Sequence, residues 1–138
     1  MNENLEIRNY GNNTKAKGVT MLTDSILKTT RSALGVGEAP TAFDSELVLH
    51  INAALSILNQ NGCGKIVNVQ DETATWGDMQ DPLQTVGNAF FHLVPTYVFT
   101  KTKILFDPPP PSNVAFYDNY TQELLWRIRI AYEEPQIL

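Results

Sequence analysis

Apolar residues recur at helical spacing in four stretches of the chain. The clearest is FDSELVLHINAALSILNQNG, residues 43–62, in which Leu47, Val48, Ile51, Ala54, Leu55 and Leu58 fall three and four apart. So wide a stripe predicts a deeply buried helix, capped by Asp44 or Thr41. Residues 22–37 predict a shorter helix with Thr23 as N-cap and Gly35 as its end. There Leu22, Ile26, Leu27, Ala33 and Leu34 make the stripe, and Lys28 and Arg31 sit off it. Residues 86–106 are apolar and aromatic but contain Pro95. Proline fits the first turn of a helix best, so the spacing predicts a main helix over 95–106. Phe90, Phe91 and Leu93 lead into it as a separate turn or a kinked extension. In residues 113–134, Phe116, Tyr117, Tyr120, Leu124, Trp126, Ile128 and Ile130 cover more than one helix face. Such a helix is buried or meets a partner.

The breaks between these stretches are as informative. Asp107, Pro108, Pro109, Pro110 and Pro111 interrupt the third and fourth helices. Four prolines have no N–H to donate and push each preceding residue out of the α region. They predict a stiff, extended elbow, with Ser112 as the next N-cap and a helix from Asn113. Residues 63–81 hold a short strand or extended lid at 66–69, and Trp76 as the anchor of the loop onto the helices. Asp71, Glu72, Asp78 and Asp81 make this loop acidic with no basic residue among them. The expected fold is therefore mainly α: a small four-helix bundle with a short extended or β segment near 64–70. Its organisation is an N-terminal arm over 1–20, a helical domain over 21–133 and a C-terminal tail over 134–138. The arm is polar and rich in Asn, and ordering it would require a neighbouring subunit or a partner protein.

Composition narrows the function. A chain of 138 residues with 43% hydrophobic residues is one ordinary globular domain. A net charge of −5 argues against a grip on nucleic acid, which needs a basic face. The single cysteine, Cys63, permits no intrachain disulfide and lies between two glycines, as an incidental thiol. No signal peptide and no membrane-length apolar run is visible, so a soluble protein is expected. No phosphate loop, nucleophile elbow, zinc-protease or C-x-x-C motif occurs. The acidic loop has the wrong spacing for calcium, and His50 and His92 alone are too few for a metal site. His50, one turn after Glu46, reads as a boundary histidine. No catalytic residue, cofactor or metal is expected.

The order of motifs resembles the head-tail connector (adaptor) proteins of tailed bacteriophages, of the gp6-like or gp15-like kind, over roughly residues 22–132. The resemblance is carried by Phe43-Asp44, His50-Ile51-Asn52, the Thr73-Ala74-Thr75-Trp76 element, and Lys103 with Phe106-Asp107-Pro108-Pro109. Residues 1–20 precede the familiar pattern as an added arm. The resemblance implies a structural virion protein at the neck, made in the host cytoplasm. It would form a ring, commonly of twelve copies, beneath the portal protein. The ring would extend the DNA channel without sequence-specific binding and present a surface to the next neck, stopper or tail protein. On this reading, Glu134, Pro135, Gln136, Ile137 and Leu138 are the candidate contact with the portal or a neighbouring subunit. Asp71, Glu72, Asp78 and Asp81 are candidate channel or loop contacts. The elbow at 107–111 sets the angle of the last helix. The alternatives are another neck or tail-completion protein of the virion, or a small cytoplasmic helical binding or regulatory module.

Overall fold

A computed structural model of the chain describes residues 22–81 and 88–133, the side chains of 88–91 excepted. The expectations for the arm over 1–20 and for the tail over 134–138 lie outside these residues. The described residues are mainly helical. Four α-helices follow in order: α1 Ile26–Ala33, α2 Asp44–Gln60, α3 Asn88–Phe106 and α4 Val114–Glu133. Short 3-10 turns occupy Trp76–Met79 and Pro111–Asn113. Helix α3 is central, with α2 and α4 packed against it and α1 lying against α2 and α3.

The apolar stripes read from the sequence form the core. Leu47, Ile51, Ala54, Leu55 and Leu58 of α2 are buried against Val94, Tyr97 and Val98 of α3 and Leu124 and Ile128 of α4. Trp76 anchors its loop as expected. It is buried, its indole N–H donates to the Thr29 hydroxyl at 3.0 Å, and its ring meets Phe99 edge-on at 5.8 Å. That combination satisfies the one polar atom of a large apolar side chain.

Helix α1 is shorter than the 22–37 expected, and Ser25 rather than Thr23 caps it. The reason is a backbone strap. Residues 22–26 lie antiparallel to 74–77, with Ile26 N–H donating to the Ala74 carbonyl, Trp76 N–H to Asp24 and Gly77 N–H to Leu22. Those groups are spent on the strap, so the helix begins after it. It ends as predicted at Gly35, whose φ of +82° suits glycine. Gly35 N–H donates to the Ser32 carbonyl and Val36 N–H to that of Arg31, which closes a Schellman motif.

Pro95 lies inside α3 and not at its first turn, a correction to the 95–106 reading. Local rules put the cost of an interior proline at about 3 kcal/mol. Here Val94, Tyr97 and Val98 are all buried around it, and apolar burial of three large side chains exceeds that cost. The Thr96 hydroxyl also donates to the His92 carbonyl, one turn back, at 2.6 Å. At the elbow, Ser112 is not the N-cap. It sits inside the 3-10 turn, where Asn113 N–H donates to the Pro110 carbonyl at 2.8 Å, and α4 starts one residue late, at Val114.

The segment near 64–70 forms no strand. One side chain takes the place of a strand partner. Asn52, from the middle of α2, accepts from the Val69 N–H at 2.8 Å and donates to the Val69 carbonyl at 2.9 Å. Gly64 begins this segment at φ +96°, with the Met79 carbonyl 3.2 Å from where a Cβ would sit, so only glycine passes there without displacement. Replacing Asn52 by Ala would strand both polar groups of a fully buried residue and is expected to cost about 2–3 kcal/mol in urea unfolding. Asn52→Asp keeps the acceptor and loses the donor, so its loss should be smaller. Wild-type stability in the Ala variant would contradict the role given to this amide.

Candidate functional site

The acidic loop is built around a residue that the apolar pattern set aside. Arg31 sits off the apolar stripe of the first helix, yet only 1% of it is exposed. Its Nε and Nη2 donate to the two carboxylate oxygens of Asp44 at 3.0 and 2.6 Å, a bidentate fork. Its Nη1 donates to the Glu38 carbonyl at 2.7 Å and to the Glu72 carboxylate at 2.5 Å. One side chain thus joins α1, the first turn of α2 and the acidic loop. The hydrogen bond from Arg31 holds the Asp44 carboxyl below the usual range, with the Thr41 N–H and hydroxyl assisting. The same bond raises the Arg31 guanidinium above its ordinary value. Asp44 is thereby a tie between helices and not the helix cap.

The four loop carboxylates do separate work. Glu72 is spent on Arg31. Asp71 accepts from the Thr73 N–H at 2.9 Å and the Thr73 hydroxyl at 2.6 Å, and these bonds depress its carboxyl. Asp78 accepts from the Thr75 N–H at 2.9 Å and completes a capping box on the 3-10 turn. Asp81 is half-buried and close enough to Tyr132 to help raise that phenol, after burial itself. Asp71 and Asp78 remain exposed. An open cleft of about 650 Å³ lies beside Arg31, floored by Leu27, Pro40 and Val48 and rimmed by Asp44, Asp71 and Glu72.

Every bonded carboxylate is a structural acceptor. Cys63 is buried, and burial pushes its thiol up to about 11, which keeps it protonated and unreactive near neutral pH. Among the described residues no three His, Cys, Asp or Glu side chains are grouped to hold a metal. His50 lies 3.4 Å from Glu46 on the surface of α2, the boundary position expected.

Two other surfaces are the elbow and the outer side of α4. At the elbow, Asp107 N–H donates to the Lys103 carbonyl at 2.7 Å and closes α3. Pro110 is extended, with ψ 148°, and a hollow of about 210 Å³ forms between the prolines, Lys103, Asp107 and Tyr117. Helix α4 buries only Thr121, Leu124 and Ile128, and turns Phe116, Tyr120, Trp126 and Ile130 outward. The candidate contact at residues 134–138 follows α4 directly and lies outside the described residues.

The described residues form a helical body with a proline elbow and a last helix that leaves Phe116, Tyr120, Trp126 and Ile130 exposed. The sequence from 26 to 135 matches the family described as phage connector protein, so the chain belongs to that family: a head-tail connector of tailed bacteriophages. The match starts where α1 starts and leaves residues 1–20 outside it. This is a family of structural virion proteins and not of enzymes. Comparison with curated proteins and with solved structures gave no match.

Arg31 and Asn52 are the residues that sequence pattern missed. A faint signal existed for Arg31, which stands four residues after Leu27 and so shares its side of the helix. Replacing Arg31 by Met leaves Asp44 and Glu72 facing an apolar side chain, and the expected loss is about 3 kcal/mol. Asp44 has a folded pKa below its unfolded one, so its contribution is present above about pH 4 and disappears as pH falls through the folded value. Denaturation midpoints of the wild type should therefore drop in acid more steeply than those of the Met variant. Parallel pH profiles would rule out the ion pair as the source.

Proposed function

We propose that this connector assembles as a ring of about twelve copies beneath the portal of the DNA-filled head, extends the DNA channel and joins the head to the next neck, stopper or tail protein. The family match over 26–135 carries this reading. The fold supports it in three ways. The elbow fixes the direction of α4 relative to α3, so every copy presents its last helix and tail alike. The outward apolar residues of α4 supply surface for contact between proteins. The exposed carboxylates of Asp71 and Asp78, in a chain of net charge −5, repel phosphate and would leave DNA free to slide. Asp81 joins them at the edge of the loop, whereas Glu72 contributes less because Arg31 neutralises it. Residues 134–138 are the segment we assign to the portal or the neighbouring subunit.

Negative-stain imaging of purified protein mixed with portal-bearing, DNA-filled heads should show an added ring at the portal vertex. Bare heads under conditions where other neck proteins attach would refute the reading. The elbow has its own test. Replacing residues 108–111 with Gly and Ser should leave helix content nearly unchanged by circular dichroism but lower the yield of tailed particles about tenfold or more, as about 1.4 kcal/mol of lost preorganisation would. A normal yield would remove the elbow from assembly.

A further inference from the structure

We infer that the outward face of α4 pairs with the same face of a second copy of this chain, the two helices running antiparallel. Residues 116, 120, 123, 127 and 130 are spaced alternately four and three apart, the spacing of a coiled-coil seam. They form an exposed flank of α4 beside the stripe of Leu124 and Ile128, which faces the core, and Tyr120 at the edge of that flank also lines a hollow with Leu34 and Phe99. Phe116 is 66% exposed, Tyr120 39% and Ile130 38%, and Trp126, 58% exposed, flanks the seam. Phe116 stacks on Tyr120 with ring centroids 6.4 Å apart, so the aromatic end of the seam is already arranged. Between the apolar ends, Arg127 donates to Glu123 at 2.9 Å.

The identity of the occupant follows from how these charges are placed. In an antiparallel pair, positions 120 and 130 share a layer, and so do 123 and 127. Tyr120 then meets the partner's Ile130, and Glu123 meets the partner's Arg127, each contact occurring twice about a two-fold axis. A parallel pair would set Glu123 against Glu123 and Arg127 against Arg127, which is repulsive. An arrangement complementary to its own reverse fits a second copy, and an unrelated partner would not require it. The seam spans about four turns of a 20-residue helix, enough for a reversible pair. This two-fold contact differs from the head-to-tail contacts of a ring, so it goes beyond the connector reading and does not depend on it. It would cover the aromatic face of the free protein before assembly.

Charge reversal with the full chain tests this by sedimentation equilibrium. The wild type should show a reversible monomer–dimer equilibrium. Glu123→Arg alone and Arg127→Glu alone each create two like-charge layers and should weaken self-association about tenfold or more. Mixing the two variants restores both opposite-charge layers and should give a one-to-one pair about as tight as wild type. Unchanged circular dichroism spectra would show that each variant folds. In a second measurement, Tyr120→Cys and Ile130→Cys proteins should cross-link to each other on oxidation and not each to itself. A wild type that is monomeric up to its solubility limit would overturn the inference. So would single reversals that associate like wild type, or a mixture that fails to recover.

Discussion

The fold depends on one buried cation. Arg31 is almost fully removed from water, and the cost of that is met only because Asp44, Glu72 and the Glu38 carbonyl converge on it. Those partners come from the start of α2 and from the loop before the 3-10 turn, so the guanidinium fixes where three segments meet. The strap between 22–26 and 74–77 and the Trp76 anchor then follow on the same side of the molecule. Remove the cation, and the loop that carries the exposed carboxylates loses its only tie by charge to the helices among the described contacts.

The same economy runs through the rest of the body. Two polar side chains, Arg31 and Asn52, pin irregular stretches that also send Val69, Trp76 and Met79 into the apolar core. The core itself supplies cohesion through α2, α3 and α4. A connector of this family meets other proteins of the phage head and tail. A body whose loops are pinned by specific hydrogen bonds, and whose last helix leaves a stiff corner at one angle, suits that role.

Much of this was legible in the sequence because it is local or periodic. The stripe of α2, the glycine stop of α1, the proline elbow and the anchoring Trp76 each follow from spacing or from backbone chemistry within a few residues. Pro95 misled because its local rule was overridden by the burial of Val94, Tyr97 and Val98 on either side. Thr23 looked like a cap because nothing nearby shows that residues 22–26 pair with a segment about fifty residues away. Arg31 and Asn52 escape a local reading for the same reason: their partners lie 7 to 41 and 17 residues distant. The motif order, Phe43-Asp44, His50-Ile51-Asn52 and Thr73 to Trp76, nonetheless pointed to the connector family. Two of those pieces now have physical meanings, Asp44 as the fork for Arg31 and Asn52 as the clamp on Val69.

The central claim is that this chain forms the joint between head and tail. A cryo-electron microscopy reconstruction of the virion neck tests it most directly. The account predicts a symmetric ring of this helical body directly below the portal, with the elbow and α4 recognisable in each copy around an open channel. A neck resolved at side-chain level in which every density belongs to other proteins would contradict it.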